Sequence, residues 1–237
     1  MYPSTQLWPV RGLAKATVVF LVVNLLAETL AAVAHYQRIT LIDAAFAVPL
    51  DDLSDLEDID FEAIADNELL VLLADLGVNA TFVLAGVMFV VWLYRVRDNA
   101  EQMSALPQRR ATPWLFFGWF VPIVSFWFPK QILDDIWRAS DPRGKRPGVL
   151  MMIWWILWLV TVFLGNASVR VAYSDEEDAM AVRTGSLLDV ATYPLVVVCG
   201  VLAIVIVRRI SALQEAGAAL PAESPAEAPA EAGESRP

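Results

Sequence analysis

The chain is short of the residues that most readily carry metal, redox or nucleophilic chemistry. Cys199 is its only cysteine and His35 its only histidine. An intrachain disulfide, a cysteine metal site and a histidine-rich metal centre are therefore excluded. The sequence has no Walker loop, no H-E-x-x-H and no G-x-S-x-G, so nothing marks it as an enzyme, and it carries no cofactor motif. Its apolar residues do not follow alternating or heptad spacing, which removes the main signs of an ordinary soluble domain. Its basic residues are dispersed, which gives nucleic acid little support as a partner.

What remains is strongly apolar. Hydrophobic residues make up 57% of the chain, with nine Trp and eleven Phe, and they fall in blocks near bilayer length. The expected class is an all-α membrane protein with four transmembrane helices, at about 13–35, 69–94, 149–167 and 187–207. At 1.5 Å per residue each can cross a hydrocarbon core of ~30 Å. Ala32-Val33-Ala34 resembles a signal-peptidase site, so a cleaved signal peptide stands as the alternative to the first helix. Residues 1–215 read as one integral membrane domain. Residues 216–237, rich in Pro, Ala and Glu, read as a disordered tail. The formal charge of −10 sums unlike segments and predicts no basic partner by itself.

Tyr36 to Glu68 reads as an external loop with an acidic core from 51 to 68. Leu53, Leu56, Ile59 and Ile64 sit near helical spacing, and Ser54-x-x-Glu57 fits a capping box. An EF-hand frame from Asp58 fails, because Ala63 stands where Gly is needed and Leu69 where the bidentate Glu belongs. No metal site is assigned, and weak cation attraction stays open. A second external loop holds Asp175, Glu176, Glu177 and Asp178.

Orientation follows from Lys and Arg. Nine lie between the second and third spans: Arg95, Arg97, Arg109, Arg110, Lys130, Arg138, Arg143, Lys145 and Arg146. The first external loop has Arg38 alone, and the second has Arg170 and Arg183. Four spans with both termini cytoplasmic satisfy this. Trp114 to Trp137 conflicts with it, being apolar enough to be membrane while both its flanks are basic. Pro122 and Pro129 interrupt it. A crossing by Trp114–Phe128 would carry five basic residues outside. The favoured reading is a Pro-broken, aromatic re-entrant or in-plane segment at 113–140 on the cytoplasmic side; a fifth span is the alternative. Thr112-Pro113 reads as its N-cap. Ile132, Leu133, Ile136 and Trp137 against Lys130, Asp134, Asp135 and Arg138 read as an in-plane amphipathic helix ended by Asp141-Pro142. The Trp cluster at 114, 119, 127, 137, 154, 155 and 158 fits interfacial anchoring better than an aromatic cage.

Polar residues inside spans are the site candidates. Thr17, Asn24, Glu28, Ala31 and His35 share one face of the first helix. Asp75, Asn79, Phe82 and Gly86 share one face of the second. Glu28 and Asp75 lie at matching depth, about 10 Å below the outer surface, and Asp189 enters at the outer end of the fourth span. Intramembrane carboxylates are expected to face the bundle and pair; His35, Arg170 and Arg183 are the available partners. The plain reading is that these acids are hydrated or staple helices together. The functional one is a proton- or cation-linked site, and four spans would need an oligomer for transport.

Three runs carry a resemblance. They are Tyr94-Arg95-x-Arg97-x-Asn99-Ala100-Glu101; Gly118-Trp119-Phe120-x-Pro122-Ile123-x-x-Phe126-Trp127-x-Pro129-x-Gln131-Ile132; and Ile136-Trp137-Arg138-Ala139-Ser140. They are similar to an actinobacterial multipass membrane family catalogued as a domain of unknown function, number forty-three twenty-eight, over most of the chain from the first span to the fourth. Ser125 stands where that family often has Asn. The resemblance implies a bacterial plasma-membrane protein and supplies no activity or ligand. The expected role is an accessory or scaffolding module with its basic face on anionic lipid headgroups, a partner protein or a second copy. The alternative is a channel or transporter subunit using Glu28 and Asp75.

Overall fold

The computed structural model describes residues 7–49, 53–172, 174 and 178–219, with the side chains of 53–55 left aside. Described residues form six α-helices and no strand: α1 Arg11–Ala47, α2 Phe61–Met103, α3 Trp114–Phe117, α4 Phe128–Ser140, α5 Val149–Ala172 and α6 Ala179–Ala218. Four of them, α1, α2, α5 and α6, are long and apolar enough to cross a membrane. All four run past the hydrophobic blocks read in the sequence. The expected first external loop is largely helical, since α1 continues to Ala47 and α2 begins at Phe61. Hydropathy marks where the bilayer ends, whereas a helix stops where a cap or breaker interrupts its hydrogen bonds. The acidic stretch forms a short 3-10 helix at Leu53–Asp58. The cap of α2 is Asp60, whose carboxylate accepts from the Ala63 N–H at 2.9 Å; the capping box expected at Ser54 rests on a side chain outside the described ones. The expected acids at 51, 52 and 175–177 and the tail beyond 219 lie outside the described residues; α6 itself reaches Ala218.

The long helices stand in a row, α2–α1–α6–α5, with extensive contacts only between neighbours in that order. Away from one end the neighbours meet through small side chains. Ala31 and Ala34 of α1 and Ala85 of α2 are buried, and a Cβ on Gly185 of α6 would come within 2.6 Å of Ala172 Cβ on α5. Small residues let backbones approach where lipid gives no hydrophobic drive to associate. Large side chains such as Leu26, Leu30, Leu72, Leu76 and Phe163 point outward.

The dense core lies at one end, formed by the N-terminal half of α5, the C-terminal halves of α2 and α6, and the segment between α2 and α5. Trp92, Leu93 and Val96 of α2, Leu115, Ile132, Leu133 and Ile136 of the segment, and Ile206 and Ile210 of α6 are all fully buried. That segment is a hairpin. α3 lasts four residues, with Pro113 as its N-cap residue rather than its first helical residue. The chain then reverses at a γ-turn on Ile123, with φ +69° and the Val124 N–H donating to the Pro122 carbonyl at 2.7 Å. Pro122 has no N–H to extend a helix, and a β-branched residue at positive φ is a strained turn centre. The limbs rejoin at the base, where Trp114 and Phe128 meet edge to face at 4.9 Å.

Candidate functional site

The sequence candidates gather at opposite ends of the row. At the end away from the hairpin, α1, α2 and α6 converge on His35. Its Nδ1 lies 3.2 Å from Ser186 Oγ, and its Nε2 lies 3.2 Å from Asp75 Oδ1 and 3.7 Å from Asp189 Oδ2. His35 is nearly enclosed, while the Asp75 and Asp189 side chains stay 41% and 34% exposed. Glu28, two turns along α1 on the same face, lies within electrostatic reach of both carboxylates. The face read on α1 therefore does point inward. Thr17 is buried and donates to the Met88 carbonyl at 3.2 Å, and Asn24 donates to Thr81 Oγ1 at 3.1 Å.

The matching stripe on α2 does not hold. Asn79, Phe82 and Gly86 are exposed on the outer side of the helix, and Asn79 only returns a bond to the Asp75 carbonyl at 2.8 Å. Helical spacing groups residues on a face without saying which neighbour that face meets, and Asp75 lies at the edge of this one. Arg183 does not join the cluster either. It pairs with Asp43, Nε to Oδ1 at 2.5 Å, and its guanidinium holds the Asp43 carboxyl below the usual range. Arg170 is exposed. Among the described residues no group of three or more His, Cys, Asp or Glu side chains is placed to hold a metal ion.

At the hairpin end the motif residues form one polar network. Asn99 clamps the Trp8 backbone from both sides, accepting from its N–H and donating to its carbonyl, each at 2.9 Å. Asn99 also donates to Gln214 Oε1 at 3.1 Å; Gln214 in turn donates to the Val96 carbonyl at 2.7 Å and to Ser140 Oγ at 2.9 Å. Trp92 Nε1 donates to Ser211 Oγ at 3.0 Å. These bonds tie the segment before α1 to α2, α4 and α6, with their polar atoms satisfied out of water.

The hairpin base is held by charge. Asp135, 5% exposed, accepts from the Arg109 backbone N–H at 3.0 Å, from Nε at 2.9 Å and from Nη2 at 2.8 Å. The carboxylate holds Arg109 even further above its usual range. Arg110 donates to Gln131 Oε1 at 2.7 and 2.9 Å and stacks on the Phe128 ring at 3.8 Å. Arg97 bonds Glu101 at 2.6 Å and the Arg110 carbonyl at 2.9 Å.

Two expectations for this region are corrected. The apolar face of α4 does not lie on the membrane: Ile132, Leu133, Ile136 and Trp137 pack within the core, α4 contacts α2, α5 and α6, and Asp135 is on the covered side. A face read as lipid-seeking is satisfied equally by protein. The Trp cluster is likewise mostly packing. Trp137, Trp154 and Trp155 are buried, and Trp119 sits edge-on to Phe89, Trp155 and Trp158 at 5.4–6.2 Å. Trp155 Nε1 donates to the Phe126 carbonyl at 2.9 Å, joining α5 to the returning limb. Trp127 is the exception, half exposed with Phe116, Phe117, Phe120, Ile123 and Phe126 along the outer side of the hairpin. Pro129 is buried in the first turn of α4, and Gly118 ends α3.

Sequence reading missed Trp8, Gln214 and Ser211. Their signal was faint: a 4/3-residue spacing of Trp92, Val96 and Asn99 facing a similar spacing of Val207, Ser211 and Gln214.

The family described as "Domain of unknown function (DUF4328)" matches residues 55–212, two thirds of the chain. The chain belongs to that family. The DUF4328 match takes in α2 to α5 and α6 as far as Ala212, with every motif residue of the hairpin and both Asp75 and Asp189. It begins after α1, so Asn24, Glu28 and His35 lie outside it, and the likeness does not extend to the first span as expected. Comparison with curated proteins and with solved structures finds no match.

Proposed function

We propose that this DUF4328 protein is an accessory or scaffolding module of a bacterial plasma membrane. It crosses four times with both termini cytoplasmic and carries a re-entrant aromatic hairpin on the cytoplasmic side. The observation that carries the reading is the tied hairpin base. Arg109 with Asp135, Arg110 with Gln131 and Trp114 with Phe128 hold the entry and exit limbs together. That keeps Lys130 through Arg146 beside Arg95 and Arg97, in accord with the Lys and Arg asymmetry. The hairpin's irregular backbone leans on α5, as backbone at membrane depth must. Its protein partner or second copy would meet the exposed aromatic side of the hairpin. Cysteine probes test the topology. Probes at Asp58 and Asp178 should label from outside, and probes at Arg110, Arg143 and Pro229 only after permeabilisation. External labelling at Arg143 overturns the reading.

A proton- or cation-linked subunit is the second reading, favoured by His35 lying between Asp75 and Asp189 with Glu28 nearby. The open grooves along Trp8 and Arg95 and along Trp137 and Arg209 lie at the hairpin end, away from these groups. Proton flux in liposomes that falls in Asp75→Asn and Glu28→Gln would move the assignment to this reading.

A further inference from the structure

The basic residues that sequence alone assigns to lipid headgroups are partly engaged by protein: Lys130 bonds Asp134 at 2.6 Å, Arg109 bonds Asp135, and Arg110 bonds Gln131. Arg95 is different. Among the described residues it makes no ion pair, and its guanidinium lies over the Trp8 ring at 5.0 Å. It stands at the mouth of an open groove of about 380 Å³ lined by Trp8, Val91, Tyr94, Arg95 and Asp98. Leading away from it along α2 are Val91, Val87 and Val83, at steps of four residues and all exposed. Four-residue steps make one ridge on a helix surface. From Val83 to Arg95 that ridge rises about 18 Å, comparable to the length of one lipid acyl chain.

We infer that the Trp8–Arg95 groove is a binding site for one anionic phospholipid, with its phosphate on Arg95 and an acyl chain along Val91, Val87 and Val83. The stacked guanidinium is a planar donor fork, suited to a phosphate and already ordered before the lipid arrives. Trp8 and Tyr94 flank it at the level where aromatic rings favour the interface. Arg11 and Lys15, exposed on the first turns of α1 just after Trp8, add positive charge; Asp98 opposes it. Trp8 is fixed through Asn99, so the site exists only while the segment before α1 is clamped to α2. The inference rests on the membrane reading but not on which end is cytoplasmic, so the topology experiment and this one fail independently.

The test is native mass spectrometry and thermal melting of the full chain in detergent, with dioleoyl phosphatidylglycerol against phosphatidylcholine of the same chains. Wild type should bind one phosphatidylglycerol at least about tenfold more tightly than phosphatidylcholine. Arg95→Gln should remove that preference, Asp98→Asn should increase it, and Arg138→Gln should leave it unchanged. Val87→Asn should weaken both lipids, because the chain track is lost while the charge stays. Glycerol phosphate should not compete, which separates a lipid from a free phosphate. Should Arg95→Gln not fold, Trp8→Phe, which keeps a ring but shrinks the stacking surface, should reduce the preference. No preference in wild type, an unchanged preference in Arg95→Gln, or full competition by glycerol phosphate overturns the inference.

Discussion

Removing the Arg109 side chain should harm this protein more than removing the Asp135 carboxylate it holds. The asymmetry comes from burial. Asp135 is 5% exposed, whereas the Arg109 side chain is 49% exposed. In Arg109→Ala the carboxylate stays inside with only the backbone N–H of residue 109 to face it. Leaving one partner of a buried pair uncompensated costs about 3–5 kcal/mol. In Asp135→Leu the charge is gone, and the freed guanidinium swings into water. What is lost is a set of charge-assisted hydrogen bonds discounted for exposure, about 1–2 kcal/mol. The double variant should cost about as much as Asp135→Leu alone, because no buried charge remains to be stranded. Denaturation in mixed micelles, followed by tryptophan fluorescence, gives all three values. Equal costs within about 0.5 kcal/mol, or a double variant equal to the sum of the singles, would refute the reasoning.

Ile136→Ser should destabilise the whole fold by about 3 kcal/mol in the same assay, since Ile136 is fully enclosed in the core rather than resting on lipid. Lys130→Gln, which breaks a partly exposed pair with Asp134, should cost about 1 kcal/mol or less. Gly185→Val should loosen α5 from α6, because Ala172 leaves no room for a Cβ; the same denaturation assay should show a loss of about 1–3 kcal/mol, and an unchanged stability would refute the close approach. Asp43 has a lowered pKa, so its pair with Arg183 contributes fully above the ordinary value of 3.8 and is lost as pH falls further. Melting curves of wild type and Asp43→Asn should differ at neutral pH and converge once the pH falls below the lowered pKa of Asp43.

The four long apolar helices were legible because bilayer length is written in consecutive residues. Asn24, Glu28 and His35 were grouped rightly by helical spacing. Their partners on α6, Ser186 and Asp189, follow from a helix order that spacing does not encode. The same limit explains Asn79, which shares a face with Phe82 and Gly86 and turns outward. Ile132, Leu133 and Ile136 were found as one apolar face, but a single sequence does not say whether lipid or protein covers it. The turn on Ile123 was half visible. Pro122 announced a break, while the positive φ of the next residue contradicts its β-branched preference and is imposed by the limbs packing together.

The row order α2–α1–α6–α5 has a consequence for how the chain is made. A ribosome delivers α1 and α2 first, and these are neighbours, so they can dock at once. α5 emerges much later with little to hold, because its main neighbour is α6, which follows it. α6 then has to slide between a finished pair and a waiting single helix. Its Gln214 reaches Ser140 and Val96 only when nearly the whole helix has left the exit tunnel. α6 therefore acts as a keystone set last, and until it arrives α5 is held to the rest only at the hairpin end.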